Sequence, residues 1–591
     1  MKKMNIFHIA AEGLEDFRQV AAQAKELGAT HMMVGDLPRS RWMWEQDLTD
    51  PYPNWSMGHA QLFKLVCPPQ LSAYLPQEHI RQCFELVKAR CEILREYGLR
   101  PALFSNEPFW LPEKAYRDHP KWRGARCDHP RRSRKPYYSP NIDNPEVLSM
   151  YRYAMRELVR ETGIEFFRFM SNDSGGGISF SSGTYCGPNG PSSSRAVTMA
   201  DRICGFMDAL SEGAREGGVE AIIHFNSDIP FKAVEESIGA VWPRLKENQI
   251  VNGRDKDGHH PISSISDLGA PREPVKKLPR TVQFARFLLE AEKQSRPIVL
   301  FDVPRSDFEE AFLCMKLARE RKLEDITDAY ALLKECAVAV AGHAGASRLV
   351  DAWEAMDEGF SHLSHTGLDL IMYGCQHQRW INRPFLLFPE ELSPEEKRYY
   401  RAFQFQAMGE TEADDLMNLQ GIEGARGFTS AFLINETMQK AIGSMKKAVC
   451  LLESIQADGK TQPDPAKLNL LILRIRAEIC FFENVRNAVR FQELKDRTDR
   501  ETPPVLSLRW PTRNDSRIEE FQNITRDEIE NTYELMEILD GHLEEILRCV
   551  SPEEEDIFVY STEFIKQLKW KAETMLDHMD DGKRVYETHN I

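Results

Sequence analysis

The sequence of 591 residues contains no long hydrophobic run. A membrane-spanning helix needs about 18 or more consecutive apolar residues, and no window of the chain provides them, so we expect no membrane partner. The opening segment, Met1 to Glu12, has two lysines but lacks the full apolar stretch of a secretory signal. We therefore expect a cytoplasmic protein, and a secreted or periplasmic form whose signal has been removed stays open.

Basic residues are fewer than acidic ones, and the cysteines lack the spacing of metal-binding pairs. The 75 Lys and Arg residues face 91 Asp and Glu residues, which gives a net charge of −16. Because nucleic-acid binding relies on clustered Lys and Arg, no nucleic-acid partner is expected. The 12 cysteines include no Cys-x-x-Cys pair, so the sequence indicates buried free thiols in a reducing compartment rather than a zinc or redox site.

Three motifs of other enzyme classes are missing. The histidines, among them His31, His224 and the pair at 259–260, show no His-Glu-x-x-His or comparable spacing, so no metal is expected. The absence of Gly-x-Ser-x-Gly argues against a serine hydrolase. The glycine run 175–177 lacks the Lys-Ser/Thr ending of a phosphate-binding loop. We therefore expect no cofactor.

Two patterns alternate over the first 325 residues: short β-branched or aromatic runs and longer amphipathic stretches. This alternation predicts a parallel sheet covered by helices, and the missing nucleotide fingerprint favours a closed barrel over an open sheet. From about Leu323, helical periodicity dominates. The predicted fold is α/β: a (β/α)8 TIM-like barrel over 1–325 followed by an α-helical domain over 326–591, whose surfaces suit a homo-oligomer.

The predicted elements can be stated individually. The strands are expected at 30–36, 99–104, 164–170, 219–225 and 297–301, with a further strand at 248–251. The helices of the first half are expected at 14–27, 79–97, 145–162, 196–215 and 282–294. The helices of the second half are expected at 329–360, 394–417, 431–455, 468–495, 518–549 and 558–575.

The chemistry is expected where the barrel strands end, because the strand–helix loops there line the pocket. Nearly every predicted strand end carries a carboxylate. Two carboxylates in different environments can serve as acid and as base or nucleophile, as they do in glycosidases, and indole faces can stack on pyranose rings. The alternative role of strand-end Asp and Asn is helix capping. The strand-end residues are Asp36, Arg39, Trp42, Trp44, Glu107, Trp110, Asn172, Asp173, His224, Asn226, Asp228 and Asp302.

Two long loops stand out. The segment 171–190 begins with Asn172-Asp173 and continues through three glycines, which allow the backbone to approach a ligand closely, and a polar excursion of this length is more often functional than not. The segment 111–138 carries a basic cluster at 131–135. That cluster suits either an anionic substrate or salt bridges to nearby acids.

These segments carry a resemblance to known enzymes. The strand ending in Asn106-Glu107-Pro108, the loop 112–124 and the turn 172–177 resemble (β/α)-barrel glycoside hydrolases, nearest to the hexosaminidase-like and α-glucuronidase-like families, which attach a helical region after the barrel. The segment 373–389 resembles one found in uncharacterised bacterial members. Family 20 hexosaminidases end their fourth strand in Asp-Glu, whereas this chain has Asn172-Asp173 without an adjacent Glu, so a substrate-assisted mechanism is not carried over.

The sequence thus predicts a glycoside hydrolase that acts on a terminal acidic or N-acetylated sugar, with carbohydrate as its partner. Asp173 is the predicted general acid, and Glu107 and Asp228 are candidates for base, nucleophile or substrate positioning. Substrate contacts are predicted for the remaining strand-end residues and, from the helical half, for Arg379 and Trp380. A non-catalytic carbohydrate-binding protein and a metal-dependent barrel isomerase or lyase remain as alternatives.

Overall fold

The computed structural model describes most of the chain and divides it into two units. The described residues are 3–9, 11, 13–37, 60–128, 135–171, 177–181, 188–226, 239–265, 275–302, 308–321, 323–365, 380–397, 428–458, 464–500, 515–552, 555 and 560–586. One unit, here called the barrel unit, comprises Met1–Leu268, Phe287–Phe308 and Gln406–Gly409. The other, the helical unit, comprises Gly269–Arg286, Glu309–Phe405 and Glu410–Ile591.

The barrel unit is built on an eight-stranded parallel sheet. Its strands are β1 (Met4–His8), β2 (His31–Met33), β3 (Arg100–Asn106), β6 (Phe166–Met170), β7 (Ile222–Asn226), β8 (Gln249–Val251), β9 (Ile262–Ile265) and β10 (Ile298–Asp302), while β4 (Arg123–Arg126) and β5 (Tyr138–Pro140) form a separate antiparallel pair. The sheet runs β8-β7-β6-β3-β2-β1-β10-β9. Because β1 pairs with both β2 and β10, the order is the singly wound one of a (β/α)8 barrel, which confirms the predicted fold class.

Apolar side chains from around the sheet meet in one interior cluster. Successive residues of a strand point to opposite faces, and the strands contribute alternate positions, such as Met4 and Ile6 of β1 or Ile298 and Leu300 of β10, to the same side. The members of the cluster are Met4, Ile6, Met33, Ala102, Phe166, Ile250, Ile262, Ile298 and Leu300, with Phe104 and Ile222 packed against them. The next inward positions toward the carboxyl ends are therefore polar: His8, Asn106, Arg168, His224, Asn226 and Asp302.

The longer helices of the barrel unit follow the predicted amphipathic stretches, whereas two short helices, at 62–65 and 113–118, are additional to the prediction. In chain order the helices are α1 (Leu14–Glu26), α2 (Leu62–Leu65), α3 (Gln77–Glu96), α4 (Glu113–Asp118), α5 (Pro145–Thr162) and α6 (Met199–Glu216), and α7 (Thr281–Gln294) crosses the boundary between the units. The side chain of Asn144 caps α5 by accepting a hydrogen bond from the amide of Glu146. Helix α6 begins three residues later than predicted, because Thr198 caps it through the amide of Asp201.

The second unit is predominantly helical. Its helices are α8 (Phe308–Arg319), α9 (Ile326–His365), α10 (Phe428–Ala457), α11 (Pro465–Arg500), α12 (Asp515–Leu539), α13 (Leu543–Ile546), α14 (Phe564–Asp577) and α15 (Asp581–Tyr586). Helix α9 is interrupted at Gly342, whose φ of 65° is a left-handed conformation that favours glycine. The predicted helix 518–549 is broken after Leu539: a separate short helix at Leu543–Ile546 follows, and the chain then reaches a two-residue strand at Cys549–Val550. That strand pairs with Tyr560–Ser561, so the predicted helix 558–575 is wrong at its start, and the observed helix begins at Phe564.

Parts of the first 325 residues belong to the helical unit. Residues 269–286 group with the helical unit although they precede the last barrel strand. The boundary at 325/326 stays a prediction. In the described part of the chain, no helix has the length and apolar character to cross a membrane.

Candidate functional site

The carboxyl ends of three neighbouring strands bring two carboxylates onto one imidazole. Nε2 of His8, the last residue of β1, lies 3.0 Å from Oδ1 of Asp36, and Nδ1 of the same ring lies 3.1 Å from Oδ1 of Asp302. Asp302 ends β10 and is the register partner of His8, while Asp36 follows β2. Sheet pairing therefore fixes this arrangement, which we call the His8 bridge.

The bridge is partly buried and electrically polarised. Burial lowers the pKa of His8, but Asp36 and Asp302 together outweigh that effect, so its pKa lies well above 6.5. Burial raises the pKa of Asp302, but the charge and hydrogen bond of His8, together with the charge of Arg168, bring it below its usual value. The imidazole is thus a cation between two anions. The Asp302 side chain remains 38% exposed, against 21% for Asp36.

A second layer of groups surrounds the bridge on β3, β6 and β7. The Phe104 ring centroid, on β3, is 6.2 Å from that of His8. The guanidinium of Arg168, on the adjacent strand β6, lies 5.6 Å from the centroid of the Phe104 ring. Burial and the charge of Arg168 lower the pKa of His224 to about 3. His224 is therefore a neutral imidazole at physiological pH, and its Nδ1 is buried without a hydrogen-bond partner among the described residues.

Two asparagines complete the polar layer. Asn106 and Asn226 end β3 and β7 and occupy the same register level through Met170 of the strand between them. Asn106 is 8% exposed, and its Oδ1 is buried without a hydrogen-bond partner in the described part of the chain, whereas Asn226 is half-buried. Neutral amide and imidazole groups of this kind can hydrogen-bond the hydroxyls of a ligand.

A buried arginine fixes the loops that carry the bridge. Arg90 of α3 is 1% exposed and donates hydrogen bonds to the carbonyl oxygens of Val34 and Ala11, each at 3.1 Å, and to that of Asp36. The carbonyls belong to the segments that follow β1 and β2. The Arg90 side chain thus joins the segment that follows His8 to the segment that carries Asp36.

Glu107, which the sequence analysis offers as a catalytic residue, is held elsewhere. It follows the inward Asn106, so its side chain points to the opposite face of β3, where it is 1% exposed. Its oxygens accept hydrogen bonds from the amide of Leu62 at 2.7 Å, from Oγ of Ser105 at 3.1 Å and from the hydroxyl of Tyr151 at 3.2 Å. Burial raises its pKa to about 7, although these hydrogen bonds oppose the rise.

Two of the tryptophans predicted to contact substrate can be placed, Trp110 for stacking and Trp380 for completing the pocket, and each is buried within its own unit. Trp110 is 2% exposed, and its ring centroid lies 4.9 Å from that of Tyr137. Trp380 belongs to the helical unit, is also 2% exposed, and accepts a backbone hydrogen bond from Nδ2 of Asn484 at 3.4 Å. Substrate contact by either residue stays a prediction.

Several predicted site residues lie outside the described residues, and their roles stay predictions. They are Arg39, Trp42, Trp44, Asn172, Asp173, Asp228 and Arg379. The flank of the loop that carries Asp173 is nevertheless placed. Oγ of Ser139, in β5, donates to the carbonyl of Gly177 at 2.6 Å, and the amide of Arg126, in β4, donates to Oδ1 of Asn189. The β4–β5 hairpin therefore holds both ends of the segment 177–189.

Among the residues that the structure places, one group has the spacing of a metal site. Asp255, Asp257 and His259 present ligand atoms within 4.8 Å of one another, and the last two are exposed. Oδ1 of Asp255 accepts hydrogen bonds from the amides of Asp257 and His259. These contacts form a local turn, and the group includes no member of the His8 bridge.

Sequence reasoning missed His8, Arg168 and Arg90. The alternation Met4-Ile6-His8 was available as a signal, but a strand at 4–8 was not predicted, so His8 was not recognised as a strand end. Arg168 lies inside an otherwise apolar strand. No local pattern distinguishes Arg90 from the exposed charged residues of its helix, because its partners lie 54–79 residues away in the chain.

Comparisons with known proteins give only remote matches. No protein-family model and no curated protein matches the chain. Solved structures that match include a GH138 enzyme targeting pectin rhamnogalacturonan II, with 9% identity, a TM-score of 0.49 and coverage of 98% of this chain and 84% of that one. A mutant O-GlcNAc hydrolase of Thermobaculum terrenum has 8% identity, a TM-score of 0.37 and coverage of 98% and 97%. A maltogenic α-amylase of Thermotoga neapolitana has 10% identity, a TM-score of 0.32 and coverage of 55% and 78%. Similarities this distant carry no argument about chemistry.

Proposed function

We propose that the protein is a glycoside hydrolase whose substrate binds at the carboxyl ends of the barrel strands. The observation that carries the proposal is the convergence of Asp36 and Asp302 on His8, beside Arg168 and His224, at that end of the barrel. Barrel enzymes bind ligands at this face. Separated carboxylates in unlike surroundings are the chemical requirement for acid/base cleavage of a glycosidic bond.

Asp302 is the described carboxylate best suited to act on a substrate. Its side chain is 38% exposed, and its pKa is lowered, so it is ionised at neutral pH. One of its oxygens faces His8, and Oδ2 has no hydrogen-bond partner in the described part of the chain. An ionised carboxylate with a free oxygen can serve as nucleophile or as general base.

The general acid is assigned to Asp173, in the loop that follows β6, with Asp228 after β7 as the alternative partner of Asp302. Both loops start from strands whose inward residues, Arg168 and His224, belong to the polar layer around the bridge. A separation of ~5 Å between the two working carboxyl groups would give retention of configuration, and ~6.5–9.5 Å would give inversion.

Glu107 is assigned a positioning role instead of a chemical one. Its oxygens are engaged by Leu62, Ser105 and Tyr151 on the outer side of β3. A group that is 1% exposed on that face is not available to a substrate at the strand ends. The bond from Leu62 instead holds the end of β3 against the start of α2.

The substrate class follows from the charges of the polar layer. His224 and Asn226 offer neutral hydrogen-bonding groups to sugar hydroxyls or an acetamido group, and the guanidinium of Arg168 favours an acidic substituent. The proposal is exo-action on a terminal uronic or N-acetylated sugar. A screen of nitrophenyl glycosides, including uronides and N-acetylhexosaminides, tests it, with the Asp302→Asn protein as the matched negative control.

The screen also separates the proposal from its rivals. Saturable binding of sugars without release of nitrophenol from any substrate would indicate a carbohydrate-binding protein. A divalent metal found in the purified protein, with no nitrophenol released from any substrate, would indicate the isomerase or lyase class, which commonly depends on metals. Chelator-insensitive release of nitrophenol that Asp302→Asn removes supports the hydrolase.

A further inference from the structure

We propose that His8 is the positioning residue of the site, holding Asp302 at the barrel mouth by bridging it to Asp36. The inference rests on the proposed function, since it assigns a role within that same site. The inference adds His8, a residue that contacts neither the substrate nor the bond to be cleaved. Its removal should alter the acid–base behaviour of the site without removing a reacting group.

The geometry requires both ring nitrogens of His8 to act as donors. A carboxylate is only an acceptor when ionised, and a neutral imidazole carries a single N–H. Oδ1 of Asp36 and Oδ1 of Asp302 lie 3.0 and 3.1 Å from opposite nitrogens of the ring, so two ionised partners are satisfied only by the imidazolium form. With both protons engaged, the ring has no free nitrogen with which to serve as a general base.

The groups that face His8 from the neighbouring elements balance its charge. Asp302 approaches from β10 and Asp36 from the end of β2, while Arg168 on β6 is close enough to lower the pKa of Asp302. Phe104 on β3 presents an uncharged ring, and His224 on β7 is neutral. The two carboxylates contact the ring directly, so the ring keeps its proton over the range in which an isolated histidine would lose it.

The bridge fixes one oxygen of Asp302 and leaves the other for a substrate. Oδ1 is oriented by Nδ1 of His8, and the side chain is still 38% exposed. On the other side, Asp36 is anchored through its own backbone, because its carbonyl accepts a hydrogen bond from the buried Arg90. The orientation of Asp302 is thus transmitted through His8 and Asp36 to helix α3.

The bridge itself can be tested without any substrate. In protein carrying ¹³C-labelled histidine, the Cε1–H signal of His8, assigned by its absence from His8→Gln, is followed by NMR between pH 5 and 9. We expect it to stay protonated above pH 7 and to titrate at least about one pH unit lower in Asp302→Asn and in Asp36→Asn. Titration near 6.5 in the wild type, unmoved by either substitution, would overturn the inference even if glycosides are hydrolysed.

The positioning role is tested with two amides that mimic opposite sides of the ring. The side-chain nitrogen of Asn in His8→Asn replaces Nδ1, which faces Asp302, and that of Gln in His8→Gln replaces Nε2, which faces Asp36. On a hydrolysed nitrophenyl glycoside, kcat should fall more in His8→Gln than in His8→Asn. The acidic limb of kcat/KM should move to higher pH in both, because Asp302 loses its cation.

A merely structural histidine would lower the folded fraction and leave the acidic limb where it is, and that result would remove the positioning role. Native circular dichroism and thermal midpoints measured beside the kinetics identify loss of fold. Absence of hydrolysis by the wild type, with the NMR behaviour as expected, would remove the hydrolase proposal and the catalytic purpose of the bridge but leave its geometry standing. If kcat is the same in His8→Asn as in His8→Gln, and the acidic limb of kcat/KM lies at the wild-type pH in both, the inference is overturned.

Discussion

The carboxylate of Glu107 and the backbone amide of Leu62 are joined by a 2.7 Å hydrogen bond across 45 residues of sequence. This bond ties the end of β3 to the start of α2 in an environment from which water is excluded. Burial raises the pKa of Glu107 to about 7, against 4.5 for an exposed glutamate. A protonated carboxyl held in this way is a structural element that titrates near neutrality.

The first prediction concerns stability against pH. A folded-state pKa above the unfolded one means that the native state binds the proton more tightly, so the contribution to stability is complete below pH 4.5 and is lost as the pH rises to about 7. The free energy of unfolding of the wild type relative to Glu107→Gln should therefore fall over that window, by on the order of 1 kcal/mol per pH unit. Urea denaturation at a series of pH values measures it.

A neighbouring group defines the control for this experiment. Burial lowers the pKa of Lys64 to about 7, so its effect has the opposite sign and occupies the window above pH 7, where stability rises with pH. In Lys64→Met, the free energy of unfolding should still fall between pH 4.5 and 7, but it should no longer rise above pH 7. A parallel pH dependence in the wild type and Glu107→Gln would contradict the buried, protonated state of Glu107.

The second prediction separates the two carboxylates of β3 and β10. Glu107→Gln should change turnover by no more than a few fold, because the amide can keep the bond to Leu62. Asp302→Asn should lower kcat by about 100-fold or more, since it removes an ionised acid/base group. The comparison of kcat for the two folded variants on one glycoside is the measurement. A larger loss in Glu107→Gln would return Glu107 to the chemical step.

The third prediction concerns Asp173. If this residue is the general acid, Asp173→Asn should collapse turnover on a substrate with a poor leaving group and spare the fold. The loss should be smaller for an activated aryl leaving group, because that group needs little protonation. Steady-state rates on an alkyl and a dinitrophenyl glycoside give the ratio. Wild-type turnover on both would remove Asp173 from the mechanism.

The fourth prediction addresses the helical unit, where Lys571 and Glu528 form a fully buried ion pair. The carboxylate of Glu528 also accepts hydrogen bonds from Nδ2 of Asn484 at 2.7 Å and of Asn487 at 2.9 Å. Lys571→Met leaves the charge buried without its partner and should cost about 3–5 kcal/mol of unfolding free energy. Urea denaturation measures it, and Lys114→Met, at a solvent-exposed pair with Asp118, should cost far less, because water screens that pair.

The double variant tests whether the pair as such stabilises the unit. Lys571→Met combined with Glu528→Gln removes both charges, so much of the loss caused by the first substitution should be recovered. A double variant as unstable as the sum of the two single variants would show that the asparagine network, rather than the missing charge partner, accounts for the cost.

The sequence was sufficient for the elements whose local pattern is strong. Helix α5 lies where Asn144, Pro145 and the apolar spacing predict it, from 145 to 162. The mainly apolar runs predicted as strands at 99–104 and 164–170 are both present, as β3 and β6. Strand β9, by contrast, contains two serines among four residues and was not predicted, because its pairing with β10 rather than its own composition stabilises it.

The site was predicted in part for a physical reason. Strand-end position identified Asp36 and Asp302, since all parallel strands deliver their last residues to one edge. The same rule placed Glu107 in the pocket, which is wrong, because neighbouring residues of a strand point to opposite faces of the sheet. Phe104 packs on the interior cluster, so Asn106 also points inward and Glu107 points outward. His8 required the knowledge that β1 pairs with β10, which is a tertiary fact.

The central claim is that ionised carboxylates at the barrel mouth cleave a glycosidic bond, and its most direct measurement is nitrophenol release by the purified protein across a panel of nitrophenyl glycosides. The account predicts turnover of at least one uronide or N-acetylhexosaminide, retained in Glu107→Gln and lost in folded Asp302→Asn. Absence of release from every member of the panel, or equal rates in Asp302→Asn and the wild type, would contradict it.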